Sequence, residues 1–264
     1  MEDCRGEQKQ KQQREKCRGG CERPANVCLC NVLPSEALET STRIIILQHP
    51  HELRHKLSTV PLIQKCLHNS QVIVGRRLHM GSSPILDAIC SQSDAEKSKC
   101  GHVLFLFPGE EATDLETWIS NRAQSGMPDH PPQIENENGG ILLLLIVIDG
   151  TWQHAKEMVK ASMAFLSSIK AFQVCLPYDR NTQGHSMWNS DLILRKEPFG
   201  GCVSTIEAVA RSLRILEPTP FAVEIEHRLL SVLHAMVAFQ SHNLKKPMKP
   251  RPRLHKKGHC PTAT

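Results

Sequence analysis

The stretch ILLLLIVIDGTWQHAKEM, from Ile141 to Met158, decides the fold of this chain. Eight consecutive apolar residues end abruptly at Asp149, and residues with helical spacing follow directly. An apolar run of this length that ends in a turn is typical of a strand buried on both faces, as in a parallel sheet. Ligands of open α/β sheets bind at the carboxyl ends of the strands. Asp149 is therefore a candidate site residue, although an acid here can also serve only as the cap of the next helix, with Trp152 packing beside it.

The rest of the chain repeats this alternation of strands and helices. Strands are predicted at RIIILQHP, which ends near His49, at QVIVG, which stops at Gly75, and at HVLFLFPGE and FQVCL. Helices are predicted at VPLIQKCL, at DLETWISNRA with Trp118 on its inner face, at GGCVSTIEAVARSL, and from about Pro220 to Gln240. The stretch SGMPDHPPQIENENGG is predicted to be a surface loop. This pattern indicates an α/β class with a mostly parallel sheet flanked by helices.

Composition and length restrict the class of protein. A chain of 264 residues suits one large domain with small appendages, and 40% hydrophobic with 22% charged residues is typical of a soluble globular protein. Its apolar runs are too short to cross a membrane, and the charged start MEDCRGEQKQKQQREK lacks the apolar core of a secretory signal. Eleven cysteines, an odd number, do not suit a disulfide scaffold. We expect free thiols and a reducing compartment, the cytoplasm or the nucleus.

Four cysteines lie together near the N-terminus, in CRGGCERPANVCLC. Cys17, Cys21, Cys28 and Cys30 fall within fourteen residues, and four thiolates close a tetrahedral zinc site. The spacing C-x3-C-x6-C-x-C is not one of the best-known zinc patterns, so a set of reduced surface cysteines is the alternative. We expect a zinc-binding element over residues 17–40, after a disordered segment over residues 1–16.

The net charge of +5 is unevenly distributed, because the C-terminal tail is strongly basic. Seven Lys or Arg and no acid lie between Lys245 and Lys257, interleaved with three prolines that cannot sustain a helix. We expect residues 244–264 to be disordered. The tail could bind nucleic-acid phosphates or act as a nuclear import signal. The alternative is a solvated terminus with neither function.

A short match to a zinc-protease motif occurs at HELRH, from His51 to His55. That motif requires a helix that places both histidines on one face. Here the match follows Pro50 directly, Leu53 is its one apolar residue, and a third ligand is not evident. The pattern does not favour a protease. His49 and Glu52 nevertheless follow a strand end, so they are expected to line a cleft.

The segment STIEA begins a predicted helix. Ser204 and Glu207 have the spacing of a capping box. The free amides of a helix start that follows two glycines are also a good seat for a carboxylate. Arg195 and Lys196, just upstream, add positive charge at the same end. Neither a dinucleotide fingerprint nor a Walker loop is present.

Taken in order, these motifs resemble the DTW-domain family, whose D-x-T-W motif stands here as Asp149, Gly150, Thr151 and Trp152. The resemblance extends from about Cys17 to the last helix. It rests on CERPANVCLC, LQHPHE, DGTW, LRKEP and STIEA. It implies a SPOUT-like fold over residues 41–243, in which a C-terminal trefoil knot holds S-adenosylmethionine.

The resemblance also implies a tRNA-uridine aminocarboxypropyltransferase, which moves the 3-amino-3-carboxypropyl group from S-adenosylmethionine to N3 of a uridine. Asp149 suits the general base that removes the N3 proton. Trp152 would shape the cofactor pocket or stack on a base, and Thr151 would hold the turn. Arg195 would pair with the carboxylate of S-adenosylmethionine or with an RNA phosphate. Ser204, Thr205 and Glu207 would line the cofactor loop, and Glu207 would bind the ammonium of S-adenosylmethionine.

Two rival functions stay open at this point. A SPOUT-type RNA methyltransferase keeps the donor and moves the methyl group instead. A non-catalytic RNA-binding protein would use the basic tail alone. The expected partner is tRNA, while neither DNA nor a membrane is expected.

Overall fold

The sheet is all parallel. The computed structural model of the chain describes residues 15, 17, 19–21, 23–93, 103–124, 143–177, 190–192 and 202–242. They form six strands in the order β2-β1-β5-β3-β6-β4, and each neighbouring pair is parallel. The strands are β1 (Thr42–Gln48), β2 (Ser70–Val74), β3 (Val103–Leu106), β4 (Thr113–Asp114), β5 (Leu143–Asp149) and β6 (Phe172–Cys175). The predicted α/β class with a parallel sheet is confirmed.

Helices cover both faces of this sheet. They are α1 (Val60–Cys66), α2 (Pro84–Ser91), α3 (Leu115–Gln124), α4 (Trp152–Ser168), α5 (Thr205–Leu216) and α6 (Phe221–His242). Two short 3-10 helices lie at Ala25–Val27 and Glu52–Arg54. The predicted helices are all present, whereas α2 and β4 were not predicted, because α2 has eight residues and β4 has two.

Strand β5 lies between two hydrophobic cores. Leu145 and Val147 point into a core built with α1, α3, α5 and α6, while Leu144 and Ile146 point into a core built with α2 and α4. Because successive side chains of a strand face opposite sides, a strand between two cores must be apolar at every position. This double burial explains the uninterrupted run that begins at Ile141.

The cysteine-rich segment packs on the first of these cores. Leu29, between two of the cysteines, is fully buried in it, and Val27 is also buried. The Lys65 ammonium on α1 donates a hydrogen bond of 2.6 Å to the carbonyl oxygen of Gly20. The segment is therefore joined to the sheet layer by a buried side chain and a polar contact.

Several predictions fall on residues that the structure does not describe. The surface loop at residues 125–140 is one, and the basic tail is another. The trefoil knot also stays a prediction, because residues 178–189 and 193–201, which connect β6 to α5, lie outside the described residues. Among the described helices, none is both long and apolar enough to cross a membrane.

A buried carboxylate ties the start of β1 to the end of α5. Glu217, directly after α5, accepts hydrogen bonds from the backbone N–H of Thr42 at 2.7 Å and from both the backbone N–H and the hydroxyl of Ser41 at 2.9 Å. Glu217 is 8% exposed, so water cannot readily replace it as the partner of these groups. It fixes α5 against the sheet end opposite to Asp149.

The change Glu217→Ala is expected to lower the free energy of unfolding by about 2–4 kcal/mol, because it leaves the Thr42 N–H buried without its acceptor. Urea denaturation followed by circular dichroism measures the change. The control is Glu224→Ala, whose carboxylate is exposed and 3.7 Å from Arg228, and it should change stability by less than about 0.5 kcal/mol. Equal losses in the two variants would contradict the structural role of Glu217.

Candidate active site

A crevice is expected where the chain leaves β1 and β5. From β1 the chain passes to α1 in one helix layer and on to β2, whereas from β5 it passes to α4 in the opposite layer and on to β6. Divergence of this kind between neighbouring parallel strands is the usual binding position in α/β sheets. Gln48 and Asp149 are register partners there. The backbone N–H of His49 extends the pairing by donating to the Asp149 carbonyl at 2.8 Å.

The Asp149 carboxylate is the centre of this edge. It is 4% exposed, accepts a hydrogen bond of 3.0 Å from the Gln48 side-chain amide, and accepts another of 2.5 Å from the Thr205 hydroxyl. Hydrogen bonds to a carboxylate stabilise its charged form. The structure thus brings together Asp149 and Thr205, two predicted site residues that are 56 positions apart. Gln48 was not predicted, because it reads as the last residue of an ordinary buried strand.

The next two residues of the motif shape the turn into α4. Thr151 is the N-cap, and its hydroxyl accepts a hydrogen bond of 3.3 Å from the backbone N–H of His154. A β-carbon on Gly150 would lie 3.3 Å from the β-carbon of His154 and 3.5 Å from that of His49. Gly150 therefore allows both histidines to approach the turn closely.

An aromatic pair lies beside the acid. Trp152, the first residue of α4, is half-buried, and its ring centroid is 6.0 Å from that of Phe107, directly after β3. The pair contributes apolar surface at the carboxyl edge of the sheet. Phe107 was not predicted as a site residue, because its strand gave no sign of lying near Asp149.

The start of α5 has the predicted capping box. Glu207 accepts hydrogen bonds from the backbone N–H of Ser204 at 2.6 Å and of Asp191 at 2.5 Å, from the Ser190 hydroxyl at 2.8 Å, and from the Ser204 hydroxyl. The Glu207 carboxylate is thus already hydrogen-bonded by protein groups. To bind the ammonium of S-adenosylmethionine, as the resemblance implies, it would have to give up some of these hydrogen bonds. The positions of Arg195 and Lys196 lie outside the described residues and stay predictions.

Three histidines gather at the same edge. The rings of His49 and His154 are stacked with centroids 3.9 Å apart, and His51 meets His49 edge-on at 4.8 Å. Burial lowers the pKa of His49, and the neighbouring His154 and His51 lower it further. Glu52 is buried within its short 3-10 helix, and its position in a cleft stays a prediction.

The four N-terminal cysteines converge. The Cys17 sulfur lies 3.1 Å from that of Cys28 and 3.5 Å from that of Cys30, while the Cys21 sulfur lies 3.7 Å from that of Cys28. A zinc ion with four bonds of about 2.3 Å holds its sulfurs about 3.8 Å apart, so this group has nearly the size required. Burial raises the pKa of the Cys21 thiol, but hydrogen bonds from backbone amides and neighbouring thiols outweigh burial and bring it to about 6.

Glycine permits the three-residue gap between the first two cysteines. A β-carbon on Gly19 would lie 2.9 Å from the Cys30 sulfur, and Gly20 has φ of +91°. Both positions therefore favour glycine, one for lack of space and one for its backbone conformation. The wider spacing still brings Cys17 into the group.

Comparison with known proteins shows the family of this chain. The family model described as "DTW domain" matches residues 14–241. The chain belongs to the DTW-domain family. It is 46% identical over 259 residues to tRNA-uridine aminocarboxypropyltransferase A of Arabidopsis thaliana, a match that covers 97% of this chain and 91% of the plant protein.

More distant relatives carry a similar name. The chain is 33% identical to tRNA-uridine aminocarboxypropyltransferase 2 of Macaca fascicularis, with 83% of this chain and 62% of that protein covered. It is 30% identical to the protein of that name from Drosophila melanogaster, with 87% and 76% covered. The chain therefore spans less than two thirds of the macaque protein. No solved structure matches the chain.

Replacement of Gln48 by Met is expected to lower the free energy of unfolding by about 1–3 kcal/mol, because the buried Asp149 carboxylate loses a donor. Chemical denaturation measures the loss. In the control Ser58→Ala, the Gln48 amide loses its hydrogen bond of 3.2 Å to the Ser58 hydroxyl, while Asp149 keeps its hydrogen bonds from Gln48 and Thr205. That control should cost clearly less, and an equal cost would show that Gln48 does not act through Asp149.

Proposed function

We propose that this protein is a tRNA-uridine aminocarboxypropyltransferase, which uses S-adenosylmethionine as donor and forms 3-(3-amino-3-carboxypropyl)uridine. The observation that carries this proposal is the 46% identity, over 97% of the chain, to a plant protein of that name. The geometry supports it, because a buried carboxylate lies at the ligand-binding edge of a parallel sheet. An enzyme of this kind acts in the cytoplasm or the nucleus.

The reaction is a displacement at carbon. The N3 nitrogen of uridine bonds to the donor carbon next to the sulfonium, the carbon–sulfur bond breaks with its electron pair going to sulfur, and methylthioadenosine leaves. The N3 proton must go to a base. We propose Asp149 for this task, since it is the buried acid at the edge. Because the sulfonium is a good leaving group, positioning decides which donor carbon reacts.

Neighbouring residues would position Asp149 and the substrates. The Gln48 amide and the Thr205 hydroxyl hold the two carboxylate oxygens in place. Trp152 and Phe107 offer aromatic surface for the donor adenine or for uracil. Arg195, Ser204 and Thr205 are proposed to line the donor pocket. A uridine in a tRNA loop can be splayed out to reach this edge.

Two carbon labels separate this function from its nearest rival. Purified protein is incubated with tRNA and a donor labelled in either the methyl or the carboxyl carbon. We expect carboxyl label in the tRNA and methyl label in methylthioadenosine. Transfer of the methyl label alone would show a methyltransferase, and transfer of neither label with retained tRNA binding would favour a non-catalytic RNA-binding protein.

The variant Asp149→Asn tests the proposed base. If Asp149 accepts the proton, both Asp149→Asn and Asp149→Ala should lose about 10²- to 10⁴-fold in the rate of transfer, with tRNA binding retained. Asp87→Asn on α2 serves as the control and should keep its rate. If Asp149 only orders the edge, the isosteric Asn variant should keep far more activity than the Ala variant, and the proposal of a base is wrong.

We further propose that the four cysteines hold a structural zinc ion, because their separations suit four zinc–sulfur bonds and leave no coordination position for a substrate. Such an ion would stabilise the packing around Leu29. The change Cys28→Ser should release zinc and lower the melting temperature, whereas Cys90→Ser on α2 should do neither. Metal analysis and thermal unfolding measure both effects, and unchanged zinc in Cys28→Ser would contradict the assignment.

A further inference from the structure

The histidine group at the sheet edge has the composition of a metal site. His49 directly follows β1, His51 lies two residues later, and His154 is in the first turn of α4. One ring nitrogen from each of the three lies within 4.8 Å of the others. Imidazole is among the preferred ligands of zinc and of related divalent transition-metal ions. The segment after β1 and the start of α4 are distant in the sequence, so the proximity of their histidines is a result of the fold.

The polar atoms of the group also point to a ligand. Nδ1 of His154 is buried and has no hydrogen-bond partner among the described residues. Nδ1 of His49 accepts a long hydrogen bond of 3.3 Å from the backbone N–H of His51. Buried polar atoms normally have partners. An ion beside Nδ1 of His154 would supply the partner that the described residues do not.

The charge of the group favours a cation over an anion. Attraction of a phosphate by charge would require protonated imidazoles, and two protonated rings with centroids 3.9 Å apart repel each other. Neutral imidazole is the form that binds metal ions.

We propose that His49, His51 and His154 form a binding site for a divalent transition-metal ion of the zinc class, separate from the cysteine cluster. Three protein ligands leave a coordination position for water or a substrate oxygen. The site adjoins Asp149, because the His49 backbone N–H donates to the Asp149 carbonyl. It stands on its own geometry and does not depend on the proposed transferase activity.

Binding requires a modest movement of two rings. Zinc–nitrogen bonds of about 2.0–2.1 Å in a tetrahedral site place the nitrogens about 3.4 Å apart. The ring nitrogens of the three histidines lie up to 4.8 Å from one another here, so they must come closer together. The stacked rings must also tilt, since each lone pair lies in its ring plane. His51 is exposed and His154 is partly exposed, so these two can turn toward the buried His49.

The experiment measures bound zinc per chain by equilibrium dialysis of the full-length protein against zinc and a competing chelator. We expect the double variant His51→Ala/His154→Ala to hold one zinc fewer than wild type. His55→Ala is the matched control, because His55 belongs to the same HELRH stretch but lies outside the histidine group; it should hold as much zinc as wild type. In a Cys28→Ser background, the zinc lost on removing the histidines should be the same.

A second measurement avoids substitution of the ligands. Zinc added to the wild-type protein should shift the ring NMR signals of His49, His51 and His154 and leave that of His55 in place. Equal zinc in wild type and the double variant, or equal loss in His55→Ala, overturns the proposal. If the double variant keeps its zinc but binds RNA more weakly, the group is a phosphate contact and the metal site is wrong. These readouts do not use transferase activity, so the two proposals fail separately.

Discussion

The buried Asp149 carboxylate is the constraint on which the arrangement of the functional edge depends. A carboxylate out of water is costly unless hydrogen bonds satisfy it. Here the donors are Gln48, at the end of β1, and Thr205, at the start of α5. Because the buried carboxylate needs these hydrogen bonds, the ends of β1 and β5 and the start of α5 are held next to one another. The turn at Gly150 and the aromatic pair beside it adjoin the acid, so the candidate site is preorganised.

Much of the fold follows from local pattern. The apolar run before Asp149 predicted a doubly buried strand, and the helical spacing after it predicted the helix that follows, α4; both are present. What local pattern did not predict is short or tertiary. Strand β4 consists of two residues that pair with β6, and the pairing of Gln48 with Asp149 joins positions 101 apart. The order of the strands depends on packing between residues that are far apart in the sequence. A short stretch of sequence does not contain both members of such a contact.

The candidate site divides in the same way. Asp149, Ser204 and Glu207 carry local signals, namely a strand end and a capping box, whereas the role of Thr151 in the turn was expected only from the family resemblance. His154 and Phe107 carry none: one reads as a helix residue and the other as a strand residue. Their proximity to the acid is visible only in three dimensions. Even for Glu207, sequence predicted the cap but not the donors from Ser190 and Asp191.

The sheet order has a consequence for the way the chain assembles during synthesis. Strand β5 lies between β1 and β3, both of which precede it in the chain. Until β5 leaves the ribosome, β1 with β2 forms one open ribbon, and β3 has neither of its partners, since β6 comes later still. Such long-range pairing slows folding and leaves strand edges exposed for longer. Strands β1 and β3 therefore lack the strand that joins them until β5 is available.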